Sequence, residues 1–74
     1  MLNINGEEWK IVRVSTFHPK LRRSDGSFAI GSCDNNDKTI YIQEHLSPEM
    51  FKKVLCHELT HAAMFSYDII LDPM

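Results

Sequence analysis

The feature that most constrains the fold is an uninterrupted segment that fills the C-terminal third of the chain. From Pro48 to Tyr67 no glycine occurs, and no proline follows the first position. Ser47 suits the N-cap of a helix and Pro48 suits its first turn. Glu49 places a negative charge where the helix dipole favours one. We therefore predict one long helix from Pro48 to about Tyr67, which leaves a 74-residue chain room for one small domain over residues 1–74.

Alternating and β-branched residues before this segment predict three strands, over Trp9–Val14, Ser27–Cys33 and Lys38–Gln43. The cluster of turn residues at 34–37 separates the last two strands, so we expect them to form an antiparallel hairpin. The predicted fold class is α+β, with a small antiparallel three-stranded sheet packed on one long helix. We assign most aromatic residues to the core: Trp9, Phe17, Phe28, Phe51 and Phe65.

Charge and hydropathy exclude several classes of protein. The net charge is −2 and the pI is about 6.0, and the short basic cluster at 20–23 is followed at once by Asp25, so we expect a solvated loop and no nucleic-acid partner. No stretch approaches the roughly 18 apolar residues of a membrane helix, so we expect no membrane partner. Cys33 and Cys56 are too few for a disulfide scaffold. We expect both thiols to be reduced in a cytoplasmic protein.

The predicted helix carries polar residues inside its apolar stripe. At about 100° per residue, His61 and Glu58 fall on the same arc as His57, together with Val54 and other apolar side chains. Buried polar groups need partners, and a buried carboxylate is costly without one. Two interpretations follow: a metal site, or two ordinary core histidines beside a surface glutamate. We favour the metal site.

The spacing suits zinc chemistry. Residues at i and i+4 stack one turn apart, so His57 and His61 can both reach one Zn²⁺. Glu58 follows His57 directly and points beside the ion, where a carboxylate can act as general base toward water. Cys56 points about 100° away from His57, so we expect it to pack as a small apolar group.

The segment Val54-Leu55-Cys56-His57-Glu58-Leu59-Thr60-His61-Ala62-Ala63 resembles the HExxH active-site helix of zincin metallopeptidases. Strands followed by this helix resemble small phage-type, ImmA/IrrE-like or SprT-like zincins, although the specific match covers only residues 54–67. The resemblance implies that His57 and His61 are zinc ligands and Glu58 the catalytic acid/base. It also implies a strand lining the cleft, which could hold an extended peptide by backbone pairing. We assign that role to Ser27–Cys33.

The third protein ligand that a catalytic zinc requires is left open. The metzincin pattern fails, because Tyr67 occupies the position of its third histidine and no glycine follows Gly31. The candidates for this ligand are Asp68, Asp72, His45, Glu44 and Cys33. Tyr41 and Tyr67 are candidates for stabilising an oxyanion.

The last residues suggest a shortened chain. Asp72-Pro73 has the cap-then-proline signature of a helix start, yet the chain stops at Met74. Ile69-Ile70-Leu71 forms an apolar run just before it. We hypothesise that a following C-terminal helix, the source of the third ligand in gluzincin-type relatives, is missing.

Three functions compete. The first is a zinc-dependent metallopeptidase that hydrolyses a protein or peptide substrate with metal-activated water. The second is a non-catalytic zincin-fold module that binds a protein partner or acts as a phage-type regulatory or assembly factor, with the apolar run at 69–71 as an oligomer interface. The third is a structural zinc, which ranks last because such sites are closed by four ligands rich in cysteine.

Overall fold

The computed structural model describes residues 2–67 and has an α+β fold. The elements, in chain order, are β1 (Leu2–Ile4), β2 (Glu7–Val14), a short 3-10 helix (Pro19–Leu21), β3 (Gly31–Asp34), β4 (Thr39–Gln43) and α1 (Pro48–Ser66). The strands form one sheet in the order β1-β2-β4-β3. The α+β class and the long helix are as predicted.

The prediction of three antiparallel strands is wrong, because residues 2–67 form a mixed sheet of four strands. The additional strand, β1, pairs antiparallel with β2. The turn between them is Asn5-Gly6, and both residues have positive φ, 50° and 82°. Asn-Gly between two pairing segments is a strong hairpin signal, because both residues tolerate the left-handed backbone that a tight hairpin turn needs. This local signal lies before the first predicted strand, at residues 5 and 6.

The second departure from the prediction is the parallel pairing of β2 with β4, in which Ile11 lies beside Ile40. After β2 the chain crosses to the far edge of the sheet, forms β3, and returns through an antiparallel hairpin to place β4 between β2 and β3. The hairpin itself is as predicted. Strand β4 takes the central position because Ile40 and Ile42 are fully buried there, and a strand with neighbours on both sides suits such apolar residues.

Strand β3 is shorter than the predicted Ser27–Cys33 and begins only at Gly31. The preceding residues pair back onto the loop instead. The Ala29 N–H donates to the Leu21 carbonyl at 2.7 Å, and Phe28 forms an isolated bridge with Arg22. Local periodicity could not distinguish this small loop ladder from a longer strand.

Helix α1 covers the face of the sheet that carries Trp9, Ile40 and Ile42. Its start is as predicted, since the Ser47 hydroxyl accepts a hydrogen bond from the Met50 N–H at 3.2 Å. Every fourth residue packs inward, and this inner row consists of Val54, Glu58, Ala62 and Ser66.

The C-terminal end of α1 is tied to the first hairpin. The Trp9 indole N–H donates to the Ser66 hydroxyl at 2.7 Å, and the Asn5 amide donates to the Ser66 carbonyl at 2.8 Å. The indole needs such a partner because Trp9 is fully buried. These bonds set the height at which the helix lies on the sheet.

The five aromatic residues predicted for the core are found partly in the core and partly on the surface. Trp9 is in the core and Phe51 packs against it, as expected. Phe17, Phe28 and Phe65 are exposed, so their assignment to the core is wrong. Phe17 and Phe28 lie in the segment between β2 and β3 and contact each other edge to face, with ring centroids 5.3 Å apart.

Between residues 2 and 67, the helical part of the chain lacks the apolar length that crossing a lipid bilayer requires.

Candidate metal centre

The two histidines predicted as ligands meet on the surface of α1. His57 and His61 lie on successive turns, and their Nε2 atoms are 3.2 Å apart. The ring planes meet at 73°, with centroids 4.8 Å apart. His57 is exposed and His61 is half-buried, so both nitrogens are accessible from the same side. The alternative interpretation, two ordinary core histidines beside a surface glutamate, does not describe this group, because His57 is exposed and Glu58 is buried.

The spacing of the two nitrogens fits a shared metal ion. Imidazole nitrogens bind zinc at about 2.0–2.1 Å in tetrahedral geometry, which places two of them about 3.3 Å apart. The separation of 3.2 Å matches that value without any change of rotamer. It also permits a hydrogen bond when one ring carries its proton on Nε2, and a bound cation would replace that proton.

Glu58 lies between α1 and the first residue of β3. Its side chain belongs to the inner row of the helix and is only 7% exposed. The reason for this close packing is Gly31, because a Cβ at that position would meet the Val54 side chain and lie 3.3 Å from both Cγ and Oε2 of Glu58. The absence of a side chain at Gly31 therefore makes the space in which the carboxylate sits.

A cleft of about 610 Å³ runs between α1 and residues 29–33. His57, His61 and Glu58 all line it, so the structure brings the three predicted site residues into one cavity. The expectation that the strand before the turn at 34–37 borders the cleft is also met, although by Ala29 to Cys33 rather than from Ser27.

A second row of α1 side chains faces this cleft, and each of its members immediately precedes a residue of the inner row in the sequence. It consists of Lys53, His57, His61 and Phe65, again four residues apart. We call it the cleft row. Arg23, from the loop ladder, contributes to the opposite wall. Neither Arg23 nor Lys53 was predicted as part of the site. The sequence placed Arg23 in a solvated loop, and Lys53 lies outside the HExxH pattern.

The structure describes three of the candidates for the third ligand, which are His45, Glu44 and Cys33. In the described range, no three His, Cys, Asp or Glu side chains are grouped so that they could hold a metal ion. His45 and Glu44 are both exposed, their side chains lie 3.4 Å apart, and neither lines the cleft. Asp68 and Asp72 lie outside the described residues, as does the apolar run at 69–71.

Cys33 lines the cleft, but its thiol is poorly suited to ionise. Burial raises its pKa from 9.0 to about 11, and the negative charge of Glu58 adds to the effect. Without a bound cation, the Cys33 thiol is therefore neutral at physiological pH. Cys56 is exposed and is not among the residues that line the cleft, so it does not pack in the apolar interior as predicted.

The two tyrosines suggested for an oxyanion lie elsewhere. The Tyr41 hydroxyl donates to Asp37 at 3.2 Å, and its ring stacks on His18. These contacts lie on the face of β4 opposite to Ile40 and Ile42, because successive side chains of a strand alternate between faces. Tyr67 is exposed at the end of α1 and does not line the cleft.

Gly31 is the structural residue that the sequence interpretation missed. An isolated glycine within a strand pattern often marks a close approach of two backbones or of a backbone and a side chain. Gly31 was such a glycine, and the sequence did not reveal which helix residues it would meet.

Comparison with protein families matches residues 10–72 to the model of the Peptidase_M78 family, described as the IrrE N-terminal-like domain. Because this match spans most of the chain, the protein belongs to that family. Membership supports a metallopeptidase-like classification and a metal cofactor. Comparisons with curated proteins and with solved structures give no significant match.

Proposed function

We propose that this member of the IrrE N-terminal-like family is a zinc-dependent peptidase domain in which His57 and His61 hold the ion and Glu58 is the general base. The observation that carries the proposal is the separation of 3.2 Å between the two Nε2 atoms, which is close to the spacing of two imidazole ligands on one tetrahedral ion. When bound, zinc would polarise a substrate carbonyl and lower the pKa of water toward about 7.

The surroundings of Glu58 support its role in proton transfer. Glu58 lines the same cleft as the histidine pair, although it is only 7% exposed. The side chain is almost fully buried and lies close to Gly31, which restricts its rotamers, so the carboxylate is held in place before a substrate arrives. In this position it can take a proton from water and return it to the leaving amine.

The edge of the sheet supports binding of an extended substrate. Strand β3 is the last strand on its side of the described sheet. The Gln43 N–H donates to the Ile30 carbonyl at 3.0 Å. Because antiparallel pairing alternates, Ile30 and Ser32 direct their backbone groups at β4, whereas Gly31 and Cys33 direct theirs at the open side. A peptide that pairs with these groups would run past the histidines.

Metal content tests the site. Zinc-reconstituted protein is expected to hold about one zinc ion per chain by mass spectrometry, and His57→Ala or His61→Ala is expected to lose it. His45→Ala is the matched control, since His45 is an exposed histidine outside the cleft. Retention of zinc by both site variants would contradict the proposal.

Hydrolysis tests the chemistry. Glu58→Gln keeps the shape of the side chain but removes the base, so we expect it to retain zinc and lose about 10²–10⁴-fold in peptide hydrolysis. The same variant distinguishes an enzyme from a non-catalytic binding module. Unchanged biological activity in Glu58→Gln would favour the binding module.

A further inference from the structure

The two ends of the cleft differ along the helix, since one end is positively charged and the other is apolar. The cleft row begins with Lys53 and ends with Phe65, and the histidine pair lies midway between them. Arg23 adds a second positive charge to the same cavity. Glu58 is the acidic residue that lines it, and that residue is held against Gly31.

Both basic side chains are available to a ligand. Lys20 and Lys38, outside the cleft, are engaged in ion pairs, with Asp34 at 2.6 Å and with Glu7 at 2.9 Å. Within residues 2–67, neither Arg23 nor Lys53 forms such an ion pair, although the positive charge of Arg23 contributes to lowering the pKa of nearby Asp25. Unpaired cations that share a partly enclosed cavity attract a negatively charged group more strongly than scattered surface charges do.

The other end of the cleft row is apolar. Phe65 is 44% exposed although it is a large aromatic residue. An exposed aromatic at the border of a cavity is a favourable place to bury an apolar side chain of a ligand.

We propose that the cleft selects peptides with an acidic side chain on the Lys53 side of the cut bond and an apolar side chain on the Phe65 side. This inference rests on the proposed peptidase function and names its substrate class. Lys53 and Phe65 each lie about 9 Å along the helix from the midpoint of the histidine pair, at about 1.5 Å per residue. An extended peptide advances about 3.3 Å per residue. If it runs along the cleft row with the cut bond at the histidine pair, the selected side chains lie about three residues from that bond.

The first test is a randomised peptide mixture treated with the zinc-loaded protein, with the products identified by mass spectrometry. We expect Asp and Glu to be enriched about three residues to one side of the cut bond, and Leu, Met and Phe to the other. Lys53→Glu and Arg23→Glu should each lower cleavage of the acidic peptides about three- to tenfold, because reversal replaces an attraction with a repulsion. Lys52→Glu and Arg22→Glu are matched controls that reverse neighbouring charges outside the cleft lining, and we expect less than about a twofold effect.

The second test measures binding without cleavage. A rhodamine-labelled alanine peptide with a glutamate and a leucine on opposite sides of its centre is titrated with Glu58→Gln, beside a twin in which lysine replaces the glutamate. We expect tighter binding of the acidic peptide, a preference that weakens with added salt and disappears when Lys53 is also reversed.

The outcomes separate the two proposals. Cleavage with no acidic preference, or equal effects of reversing Lys53 and Lys52, would overturn the inference while the peptidase function stands. No cleavage of any peptide, with charge-selective binding by Glu58→Gln, would overturn the peptidase function and leave the recognition intact. Equal binding of the twin peptides, or binding of neither, would overturn the inference.

Discussion

The inner row and the cleft row of α1 are offset by a single residue and have very different surroundings. The inner row packs on the sheet and ends at Ser66, whose hydroxyl accepts the Trp9 indole N–H. The cleft row lines the cavity between α1 and residues 29–33, and Lys53 and Phe65 remain exposed. The sheet therefore covers one row, and the next row borders a cavity.

In this helix, the residues that stabilise the fold and the residues that can bind a ligand belong to different rows. Glu58 belongs to the inner row, so its burial beside Gly31 holds it whether or not a ligand is present. His57 and His61 belong to the cleft row, where the contact found in the structure is between the two rings themselves. We therefore expect changes in the inner row to alter folding, and changes in the cleft row to alter binding.

The largest expected effect compares two aromatic residues, one from the core beneath the inner row and one from the cleft row. Trp9→Ala removes a fully buried side chain and leaves the Ser66 hydroxyl without its donor, so we expect the free energy of unfolding to fall by about 3–5 kcal/mol. Phe65→Ala should change it by less than about 0.5 kcal/mol, because the ring is exposed. Denaturant unfolding of both variants provides the comparison, and equal losses would mean that the two rows do not differ as described.

A smaller effect is expected where the inner row meets β3. Gly31→Ala places a Cβ against Val54 and Glu58, and such overpacking costs about 1–3 kcal/mol. If contact with Val54 is the cause, adding Val54→Ala should recover part of the loss, seen as a favourable coupling in a double-mutant cycle. Strictly additive losses would place the cost elsewhere. Ser32→Ala, at the next position of β3, is the control.

At the end of the inner row, Ser66→Ala leaves the buried Trp9 N–H without an acceptor. We expect a loss of about 1–2 kcal/mol in the free energy of unfolding, since an unsatisfied buried donor keeps its desolvation cost. Thr60→Ala removes a hydroxyl that bonds the Cys56 carbonyl on the exposed side of the same helix, and we expect little change. Equal thermal shifts in the two variants would show that the indole bond contributes nothing specific.

The smallest effect concerns the two thiols. Because burial raises the pKa of Cys33 to about 11, its neutral form is favoured by folding. Its contribution to stability should be complete below its ordinary pKa of 9.0 and should be lost as the pH rises toward about 11. Alkylation requires the thiolate, so iodoacetamide at mildly alkaline pH should label exposed Cys56 before Cys33. Peptide mass mapping gives the order, and earlier labelling of Cys33 would contradict the assigned environment.

The sequence by itself determined the features that depend on neighbours along the chain. The cap at Ser47, the uninterrupted helix, and the hairpin around residues 34–37 were predictable because each depends on local hydrogen bonds and backbone preferences. The same is true of His57 and His61, since a spacing of four on any helix brings two side chains together. The β1 hairpin was equally local, and its Asn-Gly turn was overlooked.

Only the tertiary structure decided the features that depend on residues distant in sequence. The parallel pairing of β2 with β4 and the edge position of β3 follow from the path of the crossing loop, which periodicity does not encode. The contact of Gly31 with Glu58 and the shared cavity of Arg23 and Lys53 follow from that path. The four-residue spacing of side chains along α1 does not predict which row the sheet covers. That choice depends on how the helix docks on the sheet, where Trp9 donates to Ser66.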